Sequence, residues 1–452
     1  MADDTQEVSQ AVTRVIDGLP DLRKMDPSTS PGTIMIPFRL LIVLLLLWSV
    51  PAAAAAEPSE RSASGSGIPA ARRVVLFYFD GLHPEAIDRL NLPTLRALRD
   101  AGASVEGGAV MPFPWHPTTG VYGSLHSTSL PNPIAMTGNL FLREDQPMLQ
   151  HVFSRGATTA IAVGSKAYDT LTPGFEIVHM LDATDAEVMD RILETLDVAD
   201  PLFYRVQLQD VGRAGMATIN APADTPHHAD IWHQGSPYAD AAREADRQLG
   251  RFVEKMKQLD RWSSTLFVFM ADGQSRHGWH LPMDEQSWRT PLILVGPSVR
   301  PGRVIPYAET IDVVPTLAAA LGIDPPNPGP GSGRVLTEAF EGGPEAVDAP
   351  RHLLTLNRQI KEHLLLTARL RLMSVDDPRA DYALLSAENR FLTRRNHGGE
   401  PFRGLGDITR WQEAGGIAEL VEQNKLALDH LRGVAVDLAG SRDDDAVGAV
   451  LP

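Results

Sequence analysis

Three apolar runs of strand length in this chain finish in an aspartate: Arg73–Phe79 leads into Asp80, Leu202–Leu208 into Gln209-Asp210, and Thr265–Ala271 into Asp272. In open α/β sheets ligands sit outside the carboxyl ends of the strands, so carboxylates remote in sequence can converge there on one site. Gly278-Trp279-His280 follows the third run and adds an imidazole. The chain has no cysteine, which excludes disulfides, thiolate nucleophiles and cysteine-rich zinc sites. Any metal must therefore be held by His and carboxylates. Taken singly, an aspartate after a strand is as often a helix cap or turn residue as a ligand. Three of them together favour a shared site.

The elements that must position these groups read as an α/β chain with a largely parallel sheet. Arg73–Phe79 is apolar, β-branched and aromatic throughout, the pattern of a strand buried on both faces. Further strands are expected at 157–164, 202–208, 265–271 and 291–296, alternating with amphipathic helices at 93–102, 185–198 and 238–259. A helix at 310–322 closes the core, and 324–333 is a loop by composition. Charged and apolar residues then alternate at helical spacing in 351–373 and 416–431, giving a helical C-terminal region over 346–440 and a disordered tail over 441–452.

With 452 residues, 43% of them hydrophobic and 22% charged, the chain can bury one large core and a smaller appended unit. Its net charge of -16 argues against a nucleic-acid scaffold, because binding to a phosphate backbone draws on clustered Lys and Arg. A small anionic substrate would need local positive charge, most simply metal ions. Met35-Ile-Pro-Phe-Arg39, the apolar run 40–50 and Pro51-Ala-Ala-Ala-Ala-Ala56 have the layout of a signal peptide over 35–56. The run is shorter than the roughly 20 apolar residues that a membrane span needs. Residues 1–34 are longer than an ordinary n-region, so either translation starts at Met35 or the segment is an uncleaved anchor holding the chain to a membrane through 36–50. Both readings put the folded part outside the cytoplasm, periplasmic or secreted. A linker at 57–72 precedes a folded domain expected over 73–345.

The segment Val110-MPFPWHPTTGVYGSLHSTSLPNPIAMTGN-Asn139 resembles the nucleophile region of the type I phosphodiesterase/nucleotide pyrophosphatase family of the alkaline phosphatase superfamily. The resemblance extends to Phe79-Asp80-Gly81, Gln209-Asp210, Ala271-Asp272-Gly273, Gly278-Trp279-His280 and Pro291–Gly302, covering roughly residues 73 to 340. It implies an alkaline-phosphatase-like three-layer α/β/α core and a hydrolase that cleaves phosphodiester or pyrophosphate bonds of a small phosphate-ester substrate. By the same resemblance Thr118 is the nucleophile, with Thr119 as fallback, and Asn139 hydrogen-bonds the phosphoryl oxygen. Two divalent ions, zinc first and manganese, calcium or magnesium as alternatives, are implied: Asp80 and Asp272 bind the one that holds Thr118, Asp210 and His280 the other.

Two departures stand out. Where the family has Asp-His-Gly, this chain has Asp272-Gly273-Gln274, and His277 is the nearest substitute. No histidine follows Asp210 closely, leaving His227, His228 or His233, with His233 first. A phosphomonoesterase or phosphonate hydrolase of the same superfamily is the alternative within enzymes, and a binding pseudoenzyme the alternative outside them. The Cys/Ser-x-Pro-x-Arg signature of sulfatases is nowhere in the chain.

Overall fold

The computed structural model describes residues 71–114, 122, 125, 157–326, 333–392 and 416–448. All lie in the second of two units into which the chain divides, Arg61–Pro452. The run Arg73–Phe79 forms strand β1, and all seven of its residues are buried. A strand with no polar face must be covered on both sides. It accordingly lies inside an eight-stranded sheet with β2 (Ala103–Val105), β4 (Thr159–Val163), β5 (Ile177–Met180), β6 (Phe203–Leu208), β7 (Thr265–Ala271), β9 (Leu292–Val295) and β10 (Arg303–Ile305), in the order β10-β2-β9-β7-β1-β6-β4-β5. A small ribbon pairs β3 (Ala109–Val110) with β8 (Arg289–Thr290).

The sheet is parallel except at β9, which runs against both of its neighbours. An apolar run as short as Leu292–Val295 carries no directional signal. The connection decides: a parallel neighbour is usually reached through a crossover helix, and between β7 and β9 there are only a 3-10 turn, Glu285–Trp288, and the two-residue strand β8.

Alternate residues of β1 feed two cores. Val74, Leu76 and Tyr78 pack with helix α5 (Val313–Leu321) on one face. Val75, Phe77 and Phe79 pack on the other against α1 (Pro93–Ala101), α2 (Asp185–Val198) and α4 (Tyr238–Gln258). This is a three-layer α/β/α core; strands β1, β4, β6, β7 and β9 and the long helices fall within a few residues of the spans expected from periodicity, whereas the short strands β2, β5 and β10 are additions. Helix α3 (Asp210–Ile219), whose short Gly-rich sequence gave no apolar period, is an addition.

Beyond the core, α6 (His352–Ser374), α7 (Pro378–Leu392) and α8 (Gly416–Gly448) pack through Leu370, Ala380, Leu384, Leu431 and Leu438. Helix α8 runs on to Gly448, where a disordered tail had been expected from 441. Helix α6 docks on the core through Leu353 and Leu356, against Val110 and Ile311. Its Asn357 donates Nδ2–H to the carbonyl of Met111 at 2.8 Å. No described helix is long and apolar enough to cross a membrane, and the run 36–50 lies outside the described residues.

The start of α6 is held by Glu309, whose Oε1 accepts from Leu353 N at 2.8 Å and from Tyr307 Oη at 2.7 Å. Burial pushes Glu309 up to about 8, against the lowering bond from Tyr307, and burial likewise raises neighbouring Asp312 to about 6. Both keep a proton in the folded chain at pH values where the unfolded chain has released it. Their stabilising contribution is therefore complete below the ordinary carboxyl range and is lost as pH climbs through about 6 for Asp312 and about 8 for Glu309. Urea midpoints are expected to fall between pH 5 and 9, and Glu309→Gln to flatten that fall. A midpoint that rises with pH in wild type and variant alike would contradict this.

Candidate metal centre

Strands β1 and β7 pair in parallel with Phe79 opposite Ala271. The residues that follow, Asp80 and Asp272, leave the sheet side by side and continue the face of Tyr78 and Met270. On the other flank, β6 pairs with β1 so that Leu208 lies opposite Phe79. The row across the carboxyl edge therefore reads Gln209, Asp80, Asp272.

Asp210 stands one residue further and has the opposite sense. It opens α3, accepts from Asp185 N at 2.9 Å and pairs with Arg213 Nη1 at 2.8 Å. Asp185 in turn accepts from the backbone N–H groups of Gln209 at 2.6 Å and Asp210 at 3.1 Å. The two aspartates thus clasp the N-termini of α2 and α3 together. Burial and the charge of Asp210 push Asp185 up to about 7. One step of strand parity decides that Asp210 serves this clasp and stands apart from Asp80 and Asp272.

Among the described residues Asp80, Asp272 and His280 form a cluster, with a ligand atom from each lying within 4.8 Å of the others. All three are buried, at 3%, 1% and 3% exposure, although each can carry charge. His280 Nε2 is 3.7 Å from Asp80 Oδ1 and 3.7 Å from Asp272 Oδ2. These gaps are too long for hydrogen bonds and suit atoms that face a common centre. Nδ1–H of His280 donates to the carbonyl of Gly273 at 2.7 Å, which fixes the ring and leaves Nε2 for the site.

The carboxylates are held from behind. Asp272 Oδ1 accepts from Gly81 N at 2.6 Å. Asp80 Oδ2 accepts from Tyr168 Oη at 2.9 Å and from Gln209 Nε2. Asp80 Oδ1 is buried and has no hydrogen-bond partner. Burial and the charge of Asp80 push Asp272 up to about 7. Burial lowers His280, but the Asp272 and Asp80 carboxylates outweigh it and lift the ring to about 9. Both shifts express one demand, positive charge between two buried carboxylates, and a divalent cation meets it better than a proton. Two oxygen donors, one imidazole nitrogen and a partnerless buried carboxylate oxygen fit such a cation.

The other expected ligands lie elsewhere. His233 Nδ1 accepts from Gly235 N at 3.0 Å, next to the ring of His227, and His228 bonds the carbonyl of Ala221. His277 is exposed and bonds the carbonyl of Ala229 at 2.9 Å. Thr118, Thr119 and Asn139 lie outside the described residues. The missing Asp-His-Gly histidine has a steric cause: Gly273 has φ +84°, and a Cβ there would sit 2.2 Å from the carbonyl oxygen of Ser287.

Helix α3 crosses close behind the site because it presents glycine there. A Cβ on Gly212 would lie 1.6 Å from Asp80 Oδ1. Gly212→Ala is expected to displace either α3 or Asp80, lowering stability by about 2 kcal/mol and weakening divalent-cation binding more than 10-fold. Isothermal titration beside urea unfolding reads both, and an alanine variant matching wild type in the two would contradict the geometry.

Sequence reading passed over Gln209, Arg205 and Gln207. They alternate along β6, a strand buried at every position, and onto the residue just beyond its end. A polar stripe of period two inside a fully buried strand was the available signal.

Residues 150–323 match the Sulfatase family model. The phosphonate monoester hydrolase of Silicibacter pomeroyi superposes with a TM-score of 0.50 at 17% identity, covering 62% of this chain and 77% of that one. The core is alkaline-phosphatase-like in fold. A phosphonate monoester hydrolase of Agrobacterium radiobacter gives a TM-score of 0.47 at 15% identity, covering 62% of this chain and 79% of its own. An alkaline phosphatase superfamily protein from Vibrio parahaemolyticus gives 0.44 at 17%, covering 60% and 71%. These similarities run to sulfatases and phosphonate monoester hydrolases rather than to the phosphodiesterase/nucleotide pyrophosphatase family in particular.

Proposed function

We propose that the chain is an exported, metal-dependent hydrolase of phosphonate or phosphate monoesters, with Asp80, Asp272 and His280 holding a divalent cation. The observation that carries this reading is the buried trio, in which Asp80 Oδ1 lacks a partner while Asp80 Oδ2 is held by Tyr168 and Gln209 and Asp272 Oδ1 by Gly81. A divalent ion bound there would supply Lewis acidity, neutralising the non-bridging oxygens and favouring ionisation of an attacking hydroxyl. Thr118 is the proposed nucleophile: its Oγ forms the bond to phosphorus as the bond to the leaving alcohol breaks, and water then releases the phosphoryl or phosphonyl group from Thr118. Asn139 is proposed as a donor to a non-bridging oxygen.

The name of the Silicibacter pomeroyi structure supports a phosphonate monoester over a diester. The resemblance around Thr118 supports the phosphodiester reading, which stays as a second arm of the test. Export is proposed on the signal-peptide layout of 35–56.

The test is hydrolysis of p-nitrophenyl phenylphosphonate, p-nitrophenyl phosphate, bis(p-nitrophenyl) phosphate and p-nitrophenyl sulfate by wild type and Thr118→Ala. Turnover of a monoester above the diester, lost in the variant, is expected. A faster diester would restore the phosphodiesterase reading, a faster sulfate ester would favour a sulfatase, and no turnover of any would leave a binding module.

A further inference from the structure

Behind the metal centre, on β6, Arg205 is completely buried at a register position opposite Leu76 of β1. A guanidinium inside a sheet is expensive, and an apolar residue of similar volume commonly serves packing as well. This one is enclosed by three tyrosine rings, Tyr78 at 4.9 Å, Tyr122 at 4.9 Å and Tyr168 at 5.7 Å. Its Nη2–H donates to Gln207 Oε1 at 2.7 Å.

That bond settles the polarity of everything downstream. With Oε1 turned to the guanidinium, the amide presents Nε2 to the tyrosines, donating to Tyr122 Oη at 2.8 Å and Tyr168 Oη at 2.6 Å. A phenol that accepts from an amide keeps its own proton free to give away. Tyr168 gives its proton to Asp80 Oδ2 at 2.9 Å. Donation therefore runs in one direction, from Arg205 through Gln207 and the Tyr168 phenol to the Asp80 carboxylate.

We propose that Arg205 and Gln207 are positioning residues for the metal centre, acting through Tyr168 to hold Asp80 with its remaining oxygen turned to the cation. The proposal rests on the reading of the trio as that centre.

The test is isothermal titration of the full chain with Mn²⁺, for wild type, Tyr168→Phe, Gln207→Met, Gln207→Glu and the Gln207→Met/Tyr168→Phe double variant, with thermal unfolding in EDTA as the control for folding. Tyr168→Phe and Gln207→Met should each weaken binding about 10-fold to 100-fold while remaining folded, and the double variant should lose less than the product of the two. Gln207→Glu is the sharper case. Added negative charge alone would tighten cation binding, whereas a glutamate that accepts from Tyr168 withdraws the phenol proton from Asp80, so about 10-fold weaker binding is expected. Unchanged or tighter binding by Gln207→Glu, or losses that multiply fully in the double variant, would overturn the relay. Wild type that binds no Mn²⁺ would overturn the metal centre and the relay with it, whereas wild-type binding with unaffected variants would defeat the relay alone.

Discussion

Asp272→Asn is expected to abolish divalent-cation binding and to lower ester turnover by about 10³-fold or more, while leaving the metal-free chain as stable as wild type or slightly more so. The asparagine keeps an acceptor for the 2.6 Å bond from Gly81 N but replaces the anionic Oδ2 that faces His280 at 3.7 Å. Asp272 is 1% exposed, and its pKa is raised by burial and by the neighbouring Asp80 charge. Removing the charge relieves that repulsion, so function falls without a loss of fold. Metal analysis, kcat and thermal unfolding in EDTA check the three parts, and an asparagine variant with full activity would sink the role given to the trio.

Gly273→His would rewrite Asp272-Gly273-Gln274 toward the Asp-His-Gly of the resembling family, yet it is expected to damage the site. The backbone at Gly273 has φ +84°, a region that costs a side-chain-bearing residue on the order of 1–3 kcal/mol. Its Cβ would also meet the Ser287 carbonyl oxygen at 2.2 Å and the Met111 side chain at 2.5 Å. The carbonyl of Gly273 holds His280 Nδ1 at 2.7 Å, so any shift of this backbone moves the ligand too. Destabilisation of roughly 3 kcal/mol or more, with weaker cation binding, is the expected result in urea unfolding and titration. A variant as stable as wild type that takes up two cations per chain would show that the position can host a ligand after all.

The layers were legible because the evidence for them is local. Arg73–Phe79 and Thr265–Ala271 lack a polar face, so they had to be central strands, and the aspartates after them had to emerge at the same edge. What was not legible was register. Gln209 and Asp210 are adjacent in sequence, and only the pairing of Leu208 with Phe79 shows that the first shares a row with Asp80 while the second faces α2. The antiparallel course of Leu292–Val295 was hidden for a similar reason, since direction depends on the connection and not on the four apolar residues. The histidine at 280 was found through its motif, whereas the positive φ that excludes one at 273 is a backbone property that Asp-Gly-Gln does not announce. Arg205 and Gln207 were visible as letters, but their meaning needed the tyrosines that the fold gathers from 78, 122 and 168.

The central claim is that Asp80, Asp272 and His280 hold one divalent cation. It is tested most directly by elemental analysis of the full chain after equilibration with Zn²⁺ or Mn²⁺ and removal of free metal, for wild type and for Asp80→Asn, Asp272→Asn and His280→Ala. About one bound ion per wild-type chain, lost in each of the three variants, is the predicted result. Wild type without bound metal, or a stoichiometry that survives all three substitutions, would contradict it.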